Sequence, residues 1–428
     1  MLFFPLIFRY YYDTIDSSDQ KGGILVNQGI IAAILSILFY LTNLLSGGQG
    51  QPIHPVDPPM TQQSYAVLGQ TGTITADRVT VRHSPGTEGK PLGTVTRNTT
   101  ITILDQSENW YKIRPRIGTE GWIPDYAVSI ANIERKEVTH EFLGFYPGGE
   151  EAYESLLENG TKLTGIAPLG WRLDSYGGLS ADFDAEEMGR SLYFAGNQEM
   201  DTYANVDVGS NPSRLLNTAY LQENSINQIY DTLEEWGLKG VLVNVAYVPG
   251  EEQPQLFEFL GQLAEKLRQE GRKTIIALPW DATIDYKTAA DAADYIVLVS
   301  GARTANHEPG PVAPIPEMET MLQEIAQLVP TNKIILSLST GGLHWTRAGL
   351  PSTLSHKEVL ELAAREGASV KWDTNSKAPY FQDSAGREVW FENRYSIKYK
   401  IDLVEKYKLG GLALVDLGLE DSDIWTHL

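Results

Sequence analysis

Few side chains in this sequence can do chemistry, and most of them fall at the ends of apolar runs. There is no cysteine among the 428 residues. That excludes thiolate catalysis, disulfides and cysteine-ligated zinc. The seven histidines are scattered, with no H-x-x-x-H spacing, so neither a metal nor a cofactor is expected. Carboxyl groups that could serve as a general acid stand at Glu251, Glu252, Asp281 and Asp416. Such an acid must come within about 3 Å of the atom it protonates. Glu251 and Glu252 also read as the acidic start of a helix, where the macrodipole favours them. Asp281 reads equally as a loop or capping residue. Tyr146, Trp171, Trp280 and Trp345, with His344, offer flat faces on which a ligand ring could stack, or rim packing. Asn205, Asn244, Arg172 and Arg303 are polar groups in the same places.

The elements that would position these groups alternate. The run 240–248, GVLVNVAYV, is predicted to be a fully buried parallel strand. Side chains alternate along a strand. Val241, Val243 and Val245 therefore face one way, and Leu242, Asn244 and Ala246 the other. In a barrel the second set points inward, with Ala246 nearest the C-terminal mouth where barrel active sites lie. A catalytic acid is expected there, and the sequence offers alanine. Similar runs at 142–146, 163–167, 200–206, 274–278, 295–299, 333–338 and 411–417 bring the strands to eight. Helical patterns lie between most of them. The clearest is 254–269, with Pro254 in its first turn and Leu256, Leu260, Leu263 and Leu267 on one stripe. The alternation predicts a (β/α)8 TIM barrel, with a doubly wound sheet as the alternative. Residues 369–391 break it as a small β insertion before the last helix.

The N-terminal third is organised differently. Residues 23–45 carry no charge and are long enough to span a bilayer. Arg9 and Lys21 precede them, and no Lys or Arg follows until Arg78. The positive-inside rule then makes 1–22 a cytoplasmic segment and puts the rest outside a cell membrane, on a retained single-pass anchor. Residues 46–70 read as a Gly/Pro-rich linker. Residues 72–129 read as short strands separated by turns. A formal charge of −21 argues against nucleic acid, whose binding needs a basic surface.

Two resemblances follow from these stretches. The order VTVRHSPGTEGKPLGTV, TITIL, NWYKI, EGWIP in 72–129 resembles a bacterial SH3-like domain. Such domains often bind cell-wall peptides or protein partners, and Trp110, Tyr111, Trp122 and Tyr126 could line the groove. In so small a domain Trp110 and Trp122 could equally be core residues. Residues 141–428 resemble glycoside hydrolase family 18, in its bacterial branch of spore-cortex and cell-wall glucosaminidases. The matching segments are LGFYPG (143–148), LTGIAPLGWRLDSYGGL (163–179), GVLVNVAYVP (240–249), PGPVAPIP (309–316), KIILSLSTGGLHW (333–345) and a tail block from APYFQDSAGREVWF at 378 to GGLAL at 414.

The resemblance implies a fourth strand with the pattern D-G-x-D-x-D-x-E, whose glutamate is the general acid and whose last aspartate holds the substrate acetamido group. That substrate-assisted route is an exception to the usual two-carboxylate mechanism. Anchored on Gly240, the four acidic places here are Lys239, Leu242, Asn244 and Ala246. The Tyr-Asp pair expected after the sixth strand reads Gly301 and Ala302. The seventh-strand aromatic falls near Gly341 or Gly342, and the eighth-strand tryptophan is Val415. Asn244 could still hydrogen-bond an acetamido group, but Ala246 cannot protonate a leaving group.

Three readings of function are open. The first is a membrane-anchored, extracytoplasmic pseudo-glycosidase that binds N-acetylglucosamine-containing glycan, such as peptidoglycan or a chitin-like chain, or an envelope protein, through the SH3-like module among other contacts. The second is an active hydrolase with a relocated acid, Asp281 or Glu251. The third is an envelope scaffold with no glycan contact.

Overall fold

The computed structural model describes residues 67–130, 140–209, 211–246, 249–299, 309–345 and 351–428. The expected membrane segment 23–45, nearly all of the linker, and Gly301, Ala302 and Arg303 lie outside the described residues. Among the described residues no helix is long and apolar enough to cross a membrane.

Residues 71–130 form a seven-stranded antiparallel sheet that curls on itself. Register shifts at Val81/Arg82 and Ile103/Asp105 supply the bends. Its core is aliphatic, with Val81, Ile101, Ile103, Ile113 and Ile123 at the centre. Because these short side chains fill it, Trp110 and Trp122 are not core residues but half-buried surface ones. Trp122 lies directly opposite Arg82 and Lys112 on the flanking strands, and Trp110 opposite Pro124. Tyr111 is half-buried against the core and Tyr126 is exposed.

The second unit is a closed ring of eight parallel strands: β1 (Glu141–Tyr146), β2 (Gly165–Pro168), β3 (Asp201–Val208), β4 (Gly240–Asn244), β5 (Lys273–Pro279), β6 (Tyr295–Val299), β7 (Ile334–Ser339) and β8 (Gly411–Val415). β8 pairs with β1, and β2 with β3, which closes the barrel. Strand alternation sorts the side chains. Phe145, Tyr203, Leu242, Ile275, Val297, Ile335 and Val415 fill the interior, and Ala167, Ala277 and Ala413 leave room for them. Val241, Val243 and Val245 face the helix layer instead. There α1 (Glu150–Asn159), α2 (Ala185–Asn197), α3 (Ala219–Glu235), α4 (Gln253–Gln269), α5 (Tyr286–Asp291) and α6 (Ile315–Ile325) surround the ring. α4 packs its Leu256, Leu260, Leu263 and Leu267 stripe inward, as its 3.6-residue spacing requires. At the opposite end from the mouth, Lys273 bridges Glu141 at 2.8 Å and Asp201 at 3.4 Å.

The insertion between β7 and β8 is larger than the 369–391 excursion expected from sequence. Gly342–Trp345 and Pro351–Leu354 join Lys371–Asp373, Ala378–Gln382 and Glu388–Phe391 in a five-stranded sheet. α7 (His356–Glu366) packs on that sheet through Val359, Leu362 and Ala363 against Phe381, Val389 and Phe391, so it belongs to the insertion. α8 (Arg394–Tyr407) returns the chain to the barrel, capped by Asn393 and pinned by a buried Lys400–Glu392 ion pair.

Candidate functional site at the barrel mouth

The short strand Trp171–Leu173, just after β2, runs parallel to β3 and extends the sheet at the mouth. Its register sets Arg172 opposite Asp207, and the next ladder sets Asp207 opposite Asn244, which in turn faces Ala277. Ladder partners share a face of the sheet. Counting by twos from Tyr203 in the barrel interior, Asn205 and Asp207 also face inward. Arg172, Asp207 and Asn244 therefore form one polar row across three neighbouring strands. The Asn244 amide donates to Asp207 Oδ1 at 2.8 Å. Burial pushes the Asp207 carboxyl above its ordinary value, while the Asn244 bond and the positive field of Arg172 pull it back. One step deeper, Asn205 is buried with neither amide atom partnered among the described residues. A buried amide in that state calls for water or a ligand.

β4 ends sooner than its apolar run suggests. Asn244 is its last strand residue, although the Val245 amide still donates to the Ala277 carbonyl at 3.0 Å. Ala246 sits in the bend beyond. It lines a shallow pocket with Gln253, Leu256, Phe257, Leu278 and Asp281, several of which face the helix layer. The inward register fixed from Gly240 thus holds through Leu242 and Asn244 and does not carry on to Ala246. No carboxyl stands at any of the three positions.

The other proposed acids are committed or remote. Asp281 Oδ1 accepts from both the backbone N–H and the hydroxyl of Thr283, each at 2.8 Å, which ties the carboxylate into its own loop. Glu251 is exposed on the single turn Gly250–Glu252 before α4, and Glu252 accepts from the Ser213 hydroxyl. Asp416 differs from both. It follows Val415 with φ +60°, is buried, and has no partner for Oδ1 among the described residues. Desolvation raises its carboxyl to about 7.

Several expected sugar-stacking residues do not face the mouth. Tyr146 is 1% exposed and sits in the helix-side core. Trp171 is likewise 1% exposed, packed edge-on against Phe183 and Trp236. Both have the outward parity of their strands, so the aromatic rings are packing residues. Trp345 is buried, with its indole N–H donating to the Gly310 carbonyl at 3.3 Å. His344 Nε2 lies 3.1 Å from Asp383. Burial opposes ionisation of Asp383, but bonds from Arg387, His344 and Ala385 hold it down at about 2. Trp280 is half-buried against the helix-side core. Asp207 was missed because the predicted strand stopped at residue 206; continuing the period-2 alternation by one step would have found it. Among the described residues no cluster of His, Asp and Glu could hold a metal ion.

A closed eight-stranded α/β barrel with polar groups at its C-terminal mouth, and a β-rich insertion before the last strand, defines a (β/α)8-barrel protein with an inserted subdomain. The chain belongs to glycosyl hydrolases family 18, whose profile matches residues 206–420, and carries a bacterial SH3 domain at 77–129. It is 29% identical over 223 residues to the putative sporulation-specific glycosylase YdhD of Bacillus subtilis, covering 48% of this chain and 53% of the relative. It is 25% identical over 234 residues to a cortical fragment-lytic enzyme of the same organism, covering 50% and 54%. The chain thus spans about half the length of the curated relatives it matches. Among solved structures, the fold is shared with the spore cortex-lytic enzyme SleL of Bacillus megaterium (TM-score 0.60, 22% identity, 71% of this chain and 76% of that one). It is also shared with a chitinase from Chromobacterium violaceum (TM-score 0.62, 24% identity, 67% and 97%).

Proposed function

We propose that the barrel binds an N-acetylglucosamine-containing wall glycan at its mouth without hydrolysing it, as a pseudo-glycosidase. The observation that carries this reading is the end of β4. Its inward side chains are Leu242 and Asn244, and Ala246 follows. Neither an apolar side chain nor an amide can protonate a glycosidic oxygen, and general acid catalysis is typically worth about 10²- to 10⁴-fold. The Arg172–Asp207–Asn244 row still offers charge, acceptor and amide groups to a sugar's hydroxyl and acetamido groups. The names of the relatives, which speak of cortex lysis and chitin, support wall-type glycan as the ligand class. The apolar stretch 23–45 supports an anchor on the cell membrane, with both folded units outside it.

One observation favours a second reading, an active enzyme with a relocated acid. Asp207 is an inward carboxyl beside β4 whose burial favours the protonated form. Relocation to Asp281 or Glu251 is disfavoured by their loop bonds and exposure. The two readings separate in one experiment. The full chain is incubated with peptidoglycan fragments and with chitooligosaccharides, and binding and released sugar are both measured. Binding without turnover is the expected result. Turnover that disappears in Asp207→Asn would overturn the pseudo-glycosidase reading.

A further inference from the structure

We propose that the chain carries its own ligand for the SH3-like sheet: the proline segment 51–60 docks on the outer face of that sheet, between Trp110 and Trp122. The spacing of the segment argues for it. QPIHPVDPPM places Pro52, Pro55 and Pro58 at intervals of three. Polyproline II, the conformation proline favours, turns once in about three residues. On such a helix the three prolines share one edge. Ile53, Val56 and Pro59 share the next, and His54 and Asp57 take the third. Two apolar edges and one polar edge suit a segment that lies on a surface with its third edge in water.

The sheet presents such a surface. Ile113 and Ile123 point into its core, so alternation puts Trp110, Lys112, Trp122 and Pro124 on the opposite face. Trp110 lies opposite Pro124 and Lys112 opposite Trp122, which makes the two indoles diagonal neighbours across the ladder. Diagonal side chains stand about 7–8 Å apart, and prolines three residues apart in polyproline II about 9 Å. The two spacings match closely enough for successive prolines to bracket the rings. Both indoles and Pro124 are half-buried, and Tyr126 beside them is exposed.

Among the described residues neither indole is stacked on another ring or under a cation, and neither indole N–H has a partner or is sealed from solvent. Polyproline II makes no internal hydrogen bonds, so its carbonyls can accept from those N–H groups. Aromatic-lined grooves are a recurring seat for proline-rich segments for this reason.

The tether selects the chain's own segment as the occupant. Only residues 60–66 separate Pro59 from Val67, which packs against the core of the same sheet. Extended, they reach about 25 Å, more than the ~20 Å length of the strand Trp110–Pro115. A ligand on so short a linker acts at an effective concentration in the millimolar range, so even weak docking is populated. An outside partner for this face must then displace the segment. The assignment does not depend on what the barrel mouth binds.

The absence of cysteine permits a direct test in the full chain. Asp57→Cys is paired either with Lys112→Cys, beside both indoles, or with Asp77→Cys, on an exposed turn at the far end of the strand that carries Arg82. Disulfide formation is timed under mild oxidation at low protein concentration, with linked monomer and dimer separated. The Lys112 pair is expected to close within one chain about tenfold faster than the Asp77 pair, or more. Pro52→Ala/Pro55→Ala/Pro58→Ala, which touches neither folded unit, should erase that advantage. Trp110→Ala/Trp122→Ala should erase it too, with thermal melts confirming that the sheet still folds. Equal rates for the two pairs, or an advantage that survives the proline replacements, would overturn the docking. Cross-links formed mainly between chains would overturn it in favour of a second copy's segment.

Discussion

Asn244 and Asp207 are direct ladder partners on β4 and β3, and the amide of one donates to the carboxylate of the other at 2.8 Å. The inward carboxyl beside β4 stands on the neighbouring strand and is answered by an amide. Asn244 is buried and Asp207 half-buried, so each member depends on the other. Asn244→Leu is expected to leave Asp207 without its donor, which typically costs about 1–3 kcal/mol. The carboxyl should also titrate higher than in the parent chain, because the lost bond is one of the two effects pulling it down. The check is the pH dependence of the Asp207 carboxyl carbon shift, alongside glycan binding. A titration unmoved by the substitution would mean that the bond is not formed in solution.

Asp416 gives a pH-dependent stability of definite sign. Its carboxyl titrates near 7 in the folded chain and at 3.8 when unfolded. Below the lower value both states are protonated and burial costs nothing. Between the two the unfolded chain releases the proton and the folded chain keeps it, so stability falls as pH rises and levels off above about 7. The ceiling on that loss is about 4 kcal/mol, at 1.36 kcal/mol per tenfold change, less what local opening recovers. Asp416→Asn removes the ionisation and suits a φ of +60°, which asparagine tolerates. It should leave the melting temperature unchanged near pH 4 and raise it progressively to pH 7 and above. An equal effect at every pH would mean that the gain is not electrostatic.

The Lys400–Glu392 pair ties α8 to the last strand of the insertion with both side chains almost fully buried. Burial lowers the Lys400 ammonium from its ordinary value. Lys400 meets Glu392 Oε2, and Glu392 Oε1 has no partner among the described residues. Lys400→Met should cost about 3–5 kcal/mol, because it strands a buried carboxylate. The double variant Lys400→Met/Glu392→Leu should recover most of that loss, since neither charge remains to be desolvated. Urea unfolding of the three chains measures the coupling directly. Equal losses in the single and double variants would show that packing volume matters here and the charges do not.

Much of this molecule was legible in its sequence, and the failures have physical reasons. The eight strands could be read because parallel barrel strands are buried on both faces and show up as unbroken β-branched runs. The same property blurred their ends. In 240–248 the apolar run continues past Asn244 because Val245 and Ala246 are covered by α4 and its neighbours, while the ladder has already stopped. On β3 the error was opposite: polar Asp207 looked like the start of a loop, although it lies within the strand. Tyr146 and Trp171 do stand at strand ends, but their parity turns both rings to the helix side. Phe145, next to Tyr146, is the inward residue. The Arg172–Asp207 pairing depends on a three-residue strand added to the ring, and a span that short leaves no periodic signal.

The seam between the SH3-like sheet and the barrel argues that the two units stabilise each other. Leu68 and Leu104 are counted in the barrel's own core cluster, beside Tyr153 of α1 and Phe194 of α2. Asn197 donates to the Leu68 carbonyl at 2.7 Å, Gln198 donates to that of Gly69, and Arg114 bridges to Glu154 at 2.7 Å. Gly69 has φ +80°, and a Cβ there would come within 2.4 Å of the Phe194 ring. Leu68→Ala should therefore destabilise the barrel by about 2–5 kcal/mol, the usual cost of emptying a core leucine site. Gly69→Ala should act in the same direction, through the clash and the unfavourable backbone angle. Hydrogen exchange in α1 and α2 locates the effect. Protection there should fall in Leu68→Ala while the α4 and α6 amides stay protected at low denaturant. Deleting residues 67–130 should expose Tyr153 and Phe194 and leave a barrel prone to association. If Leu68→Ala changes neither stability nor exchange in α1 and α2, the two units are independent and the seam is only contact.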